Sequence, residues 1–86
     1  MDNYVLKLFI SGNSSRSQRA ARFVREIADD SPDIHLDVID VIENPTPAEE
    51  FKVLATPTLI KTSPEPQLRI VGELEDKQKI IDFLDF

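Results

Sequence analysis

The sequence predicts one α/β domain of element order β-α-β-α-β-β-α, with a four-stranded mixed sheet and helices on both faces. Three observations carry that prediction. Residues 4–10, YVLKLFI, form an apolar run broken only by Lys7, as expected of a strand covered on both faces. Ala20, Phe23, Val24, Ile27 and Ala28 then recur at helical spacing, which makes a single apolar stripe. Near the end, TLIKT and QLRIVG are separated only by SPEP, too short for a crossover and suited to an antiparallel hairpin. With 86 residues the chain supports one small core and a net stability of about 3–5 kcal/mol.

Each element has its own signals. SGNSSRS after the first strand is a turn rich in helix-capping side chains. The helix that follows carries Arg16, Arg19, Arg22 and Arg25 off its apolar stripe and stops at DDSPD. In IHLDVIDVI, residues 34–42, Ile34, Leu36 and Val38 face one way and His35, Asp37 and Ile39 the other. That alternation reads as an edge strand with one face partly wet. ENPTPAEE signals a second helix, with Thr46 as its cap, Pro47 as the first helical residue and Glu49 closing a capping box; it is expected to run through Leu54. The final stretch, LEDKQKIIDFLDF, places Ile80, Ile81, Phe83 and Leu84 on one arc. Glu75 and Asp76 there suit the positive end of a helix dipole. A strand-helix-strand start makes a parallel unit with a right-handed crossover, and the closing hairpin is antiparallel. The sum is a thioredoxin-like plan.

Composition removes whole classes of function. There is no cysteine, which excludes disulfides, thiol catalysis and a Cys-based zinc site and fits a cytoplasmic protein. The net charge of −6 disfavours a nucleic-acid-backbone binder. No apolar stretch reaches membrane-spanning length, and MDNYVLKLFI lacks signal-peptide features. With only Gly12 and Gly72, no glycine-rich phosphate loop exists.

The residues with chemical potential are few. Ser14 and Ser17 have the spacing of a thioredoxin's two cysteines, but a serine alkoxide is too basic to replace a thiolate; both are read as helix caps. Thr56-Pro57 stands just before the third strand, where the thioredoxin plan places a cis proline beside the active-site loop. Two readings stay open: a cis proline that leaves neighbouring backbone free for a docking partner, or a trans turn proline without a role. His35 is the only histidine and has no nucleophile or ligand set at hand, so neither a catalytic residue nor a metal site is expected. The arginines of the first helix are either a partner-facing patch or a solvated face.

YVLKLFISGNSSRS, VIDVIENPTPAEEFKVLATPTLIK and LRIVGEL resemble the KaiB family of circadian-clock proteins. The likeness spans nearly the whole chain, and its ATPT block with the upstream NP-x-x-AEE is specific. The resemblance implies a non-enzymatic, cofactor-free module that docks on a KaiC-like ATPase ring. It implies partner-binding positions at Asn13, Arg16, Arg19, Glu49, Glu50 and Lys52, a structural Thr56 and cis Pro57, and fold-switch positions at Gly72, Phe83 and Asp85. KaiB-type proteins take two forms: a thioredoxin-like monomer that binds the ring, and a tetramer-forming β-α-β-β-α-α-β form whose second half is rebuilt. Arg19 matches a basic position used toward KaiA, but Asp37 reverses the charge of a family lysine, which argues against a KaiA-like partner. Such departures fit a divergent paralogue. The resemblance also admits a KaiB-like sensor domain of a SasA-type histidine kinase or a redox-inactive thioredoxin-like adaptor.

Phe83 stands where family members carry glycine. Glycine costs about 1 kcal/mol in a helix relative to alanine, and a buried phenylalanine adds about 1.5–3 kcal/mol of apolar burial. Both favour a final helix, hence the thioredoxin-like monomer at rest. Phe83→Gly is expected to populate a second set of NMR peaks or a tetramer; a parent-like spectrum would refute this reading.

Overall fold

The computed structural model describes residues 4–72 and 74–84. Four strands, β1 (Tyr4–Ile10), β2 (Ile34–Asp40), β3 (Thr58–Ser63) and β4 (Leu68–Val71), alternate with three helices, α1 (Ser15–Asp29), α2 (Pro45–Glu50) and α3 (Lys77–Leu84). The sheet order is β2-β1-β3-β4. β1 pairs in parallel with β2, Tyr4 opposite Ile34 through Ile10 opposite Asp40. It pairs antiparallel with β3, and β3 with β4. Between Val5 and Leu6 the β1–β3 register shifts. Thr62 is the extra residue there, and its hydroxyl donates to the Val5 carbonyl at 3.2 Å.

Alternation along β1 divides the interior in two. Leu6, Leu8 and Ile10 face α1 and α3, and with Ala20, Val24, Ile27, Leu59, Leu74, Ile80 and Leu84 they belong to the main core. Phe9 faces the other way and forms a smaller cluster with Ala48 of α2 and Ile60 of β3. The Phe9 and Phe51 rings meet at 5.9 Å between centroids, a tilted aromatic pair. Cover on both faces is therefore real but unequal. α2 spans six residues, and Lys7, a neighbour of Phe9 on that face, is half-buried and pairs with Asp37.

α1 is the amphipathic helix expected. Ser14 is its N-cap, accepting the Ser17 N–H at 3.2 Å. Ser17 is not a cap: it is buried, and its hydroxyl accepts the Ser11 N–H at 3.0 Å, folding the preceding loop onto the helix. In α3, Asp76 accepts the N–H groups of Gln78 and Lys79, satisfying two orphan donors of the first turn.

The start and end of α2 differ from the expectation. Asn44 is the N-cap and Pro45, not Pro47, is the first helical residue. First-turn amides have no intrahelical acceptor, so both prolines fit there without losing a hydrogen bond. The Asn44 N–H already donates to the Asp40 carbonyl at 2.8 Å, which closes the preceding turn early. The helix stops at Glu50 rather than Leu54 because Lys52 takes a left-handed backbone, φ 55°, which an α-helix cannot continue.

α3 joins the core chiefly through Ile80 and Leu84, both fully buried. Ile80→Ala should cost about 2–5 kcal/mol, comparable with the whole stability of a domain this small. A lowered urea midpoint followed by circular dichroism is the expected result; an unchanged midpoint would show that α3 does not stabilise the core.

Candidate protein-docking site

Three loops converge at one end of the sheet, and a few polar groups hold them. Asp40, at the end of β2, accepts the Gly12 N–H at 3.1 Å and the Ile42 N–H at 2.9 Å through one carboxylate oxygen. Gly12 has φ 48°, and a Cβ there would lie 3.3 Å from the Ile42 side chain, so glycine suits this close approach. The Ser11 and Thr56 hydroxyls are hydrogen-bonded at 2.7 Å, tying the β1–α1 loop to the segment before β3. The Thr56–Pro57 bond is cis, as are Ser63–Pro64 and Glu65–Pro66. The Pro57 carbonyl accepts the Gly72 N–H at 2.9 Å, and the Gly72 carbonyl accepts from Arg16 at 2.8 Å. Gly72, with φ 81°, thus joins Pro57 to α1.

This frame carries an apolar surface. Leu54 is 98 % exposed and Ile42 69 % exposed. Between Ser11, Val41, Val53 and Thr56 lies a cleft of about 160 Å³, and a shallower groove continues past Pro45 and Ala48 to Leu54. Leu54 escaped the sequence reading, which absorbed it into the helix. Its signal was position: a lone leucine between the end of one amphipathic element and a proline-led strand.

The expected partner-binding residues divide into two groups. Asn13, beside Gly12, is exposed on the loop that touches Ile42. Glu49, Glu50 and Lys52 are exposed at the end of α2, and Glu49 and Lys52 line the groove. Arg16 and Arg19 are held within the chain. Arg16 donates to Gly72, Arg19 pairs with Glu75, and Glu26 pairs with Lys77, so these contacts brace α1 against the start of α3. Phe83 is half-buried against the main core, and Asp85 lies outside the described residues.

On the sheet face beyond α2, Lys7 and Asp37 stand in register across the parallel pair and bond at 3.1 Å. His35 reaches the other Asp37 oxygen at 3.1 Å. The Lys7 hydrogen bond is the main reason the Asp37 carboxyl lies below its ordinary range. Among the described residues, no group of three His, Cys, Asp or Glu side chains could hold a metal. Among the described residues, no helix is long and apolar enough to cross a membrane.

Exposed apolar side chains and a shallow groove thus share one end of the sheet. The KaiB domain model matches residues 7–86. The chain belongs to the KaiB family. A circadian clock oscillator protein KaiB from Prochlorococcus marinus is 48 % identical over 84 residues, covering 95 % of this chain and 72 % of the relative. A protein of the same name from Trichodesmium erythraeum is 46 % identical, covering 95 % and 81 %. Among solved structures, the N-terminal domain of Synechococcus elongatus SasA superposes with a TM-score of 0.73 and 26 % identity, over 98 % of this chain and 85 % of that one. Mitochondrial thioredoxin 3 of Saccharomyces cerevisiae reaches a TM-score of 0.81 at 18 % identity, over 100 % and 81 %, a likeness of fold alone. This KaiB-family chain therefore has the thioredoxin-like fold.

The brace has a pH dependence of definite sign. Glu75 is held below its ordinary range, first by the Arg19 hydrogen bond and then by the Arg19 charge. A depressed folded pKa stabilises above the unfolded pKa, and that contribution is lost as pH falls through the folded value. In Arg19→Ala, the Glu75 carboxyl should titrate nearer its ordinary value while Asp37 stays depressed. Carboxyl-carbon NMR titration checks both; an unmoved Glu75 would show that Arg19 is not the cause.

Proposed function

We propose that this chain is a non-enzymatic clock-type binding module that docks on a KaiC-like ATPase ring and regulates it without a cofactor of its own. The observation that carries the reading is the exposed Leu54, next to the groove walled by Val41, Val53 and Ala48. A leucine side chain is worth about 1.5–3 kcal/mol when fully buried, and a few such anchors dominate interface energies. Glu49 and Lys52 add polar groups to the groove, Glu50 and Asn13 are exposed, and the relatives' own name, circadian clock oscillator protein, supports the assignment.

A second reading has its own support. Likeness to the SasA N-terminal domain favours a KaiB-like sensor domain of a histidine kinase, and a kinase region downstream in the same reading frame would carry that reading. The primary test is size-exclusion co-elution with a purified KaiC-like ring, run with ATP and with ADP. A complex is expected with the parent chain. Leu54→Asp should weaken it at least tenfold, about 1.4 kcal/mol. No complex at tens of micromolar under either nucleotide would overturn the proposal.

A further inference from the structure

α2 ends in a turn that its own sequence does not secure. The Lys52 N–H donates to the Glu49 carbonyl at 3.1 Å and the Val53 N–H to the Ala48 carbonyl at 2.8 Å. With Phe51 as C-cap, this is the Schellman pattern, and Val53 and Ala48 supply its apolar contact in the smaller cluster. The left-handed position in that pattern usually belongs to glycine. Here it is Lys52, φ 55°, which is strained for a residue with a Cβ. Nor does the last turn of α2 carry a basic residue to oppose the helix dipole.

Both deficits are met from β4. Arg69 stands opposite Ile60 in the β3–β4 register, so it projects to the α2 face of the sheet with Ile60. Its two terminal nitrogens donate separately, Nη1 to the Lys52 carbonyl at 3.2 Å and Nη2 to the Phe51 carbonyl. Among the described residues it pairs with no carboxylate. A planar guanidinium can span two successive carbonyls, which a lysine ammonium cannot reproduce.

We infer that Arg69 is a positioning residue: it locks the α2–β3 turn and so sets how Lys52 and Leu54 are displayed. The lock is a property of the free chain. Its effect on association rests on the docking reading above, so the two parts are tested apart. In the free protein, Arg69→Ala should speed hydrogen exchange at the Val53 amide at least tenfold, while amides of β1 keep their protection. Arg69→Lys, which keeps the charge but loses the fork, should lie between. Should the alanine variant unfold, the lysine variant decides. Val53 exchange unchanged from the parent in the deciding variant overturns the lock.

Ring binding then reads the display. If the lock holds, Arg69→Lys should bind a KaiC-like ring more weakly, mainly through faster dissociation. Leu54→Asp weakening the complex while Arg69→Lys leaves it unchanged would overturn the display and spare the docking surface. A parent chain that fails to bind the ring refutes the docking reading and the display together, and leaves the lock standing on its exchange data.

Discussion

Placing β1 between β2 and β3 creates two unequal hydrophobic layers. Its alternating side chains must be buried on both sides, so neither face of the sheet can be left entirely to solvent. The 15-residue α1 and the eight-residue α3 cover one side with a continuous core. The other has α2 and a cluster of three buried residues. The remaining architecture follows from that imbalance. Polar pairing takes over where helix cover ends, at Lys7 and Asp37, and the loops at the thinly covered end are secured by Asp40, Ser11 and Thr56 rather than by apolar packing.

The elements were legible because each rests on a local pattern. The apolar run at 4–10, the stripe from Ala20 to Ile27 and the two runs around SPEP each name their structure without help from distant residues. The second helix was misplaced at both ends for the same reason. Local rules chose Thr46 and Pro47, while the deciding features were the Asp40 carbonyl on one side and the left-handed Lys52, with Arg69 on its carbonyl, on the other. Boundaries answer to tertiary contacts that a linear pattern does not contain.

The site was legible in part, and the divide is again between local and distant information. Glu49 and Lys52 line the apolar groove and Asn13 and Glu50 are exposed, while the partner role that the resemblance gives them belongs to the proposal. Arg16 and Arg19 read as free cations from their helix face alone, because Gly72 and Glu75 are 56 residues away in the chain. Asp37 looked like a departure from a family pattern. Its partner, Lys7, sits on the neighbouring strand in register, so the acid has a role inside the sheet. Leu54 had only a positional signal, since a turn is needed to expose it, and Arg69 had none, since a sheet register is needed to aim it.

The two layers also differ in what they can withstand. Local opening tracks how many buried contacts a segment must give up, and the α2 layer has far fewer to give up than the α1–α3 layer. The exposed leucine therefore sits on the more thinly packed side of the molecule, backed by the larger core. If the proposed docking takes place on that side, ordering the thinner layer costs free energy that is subtracted from affinity. The affinity of such docking would then depend on how firmly a six-residue helix and its turn are held, as well as on the area that meets the partner.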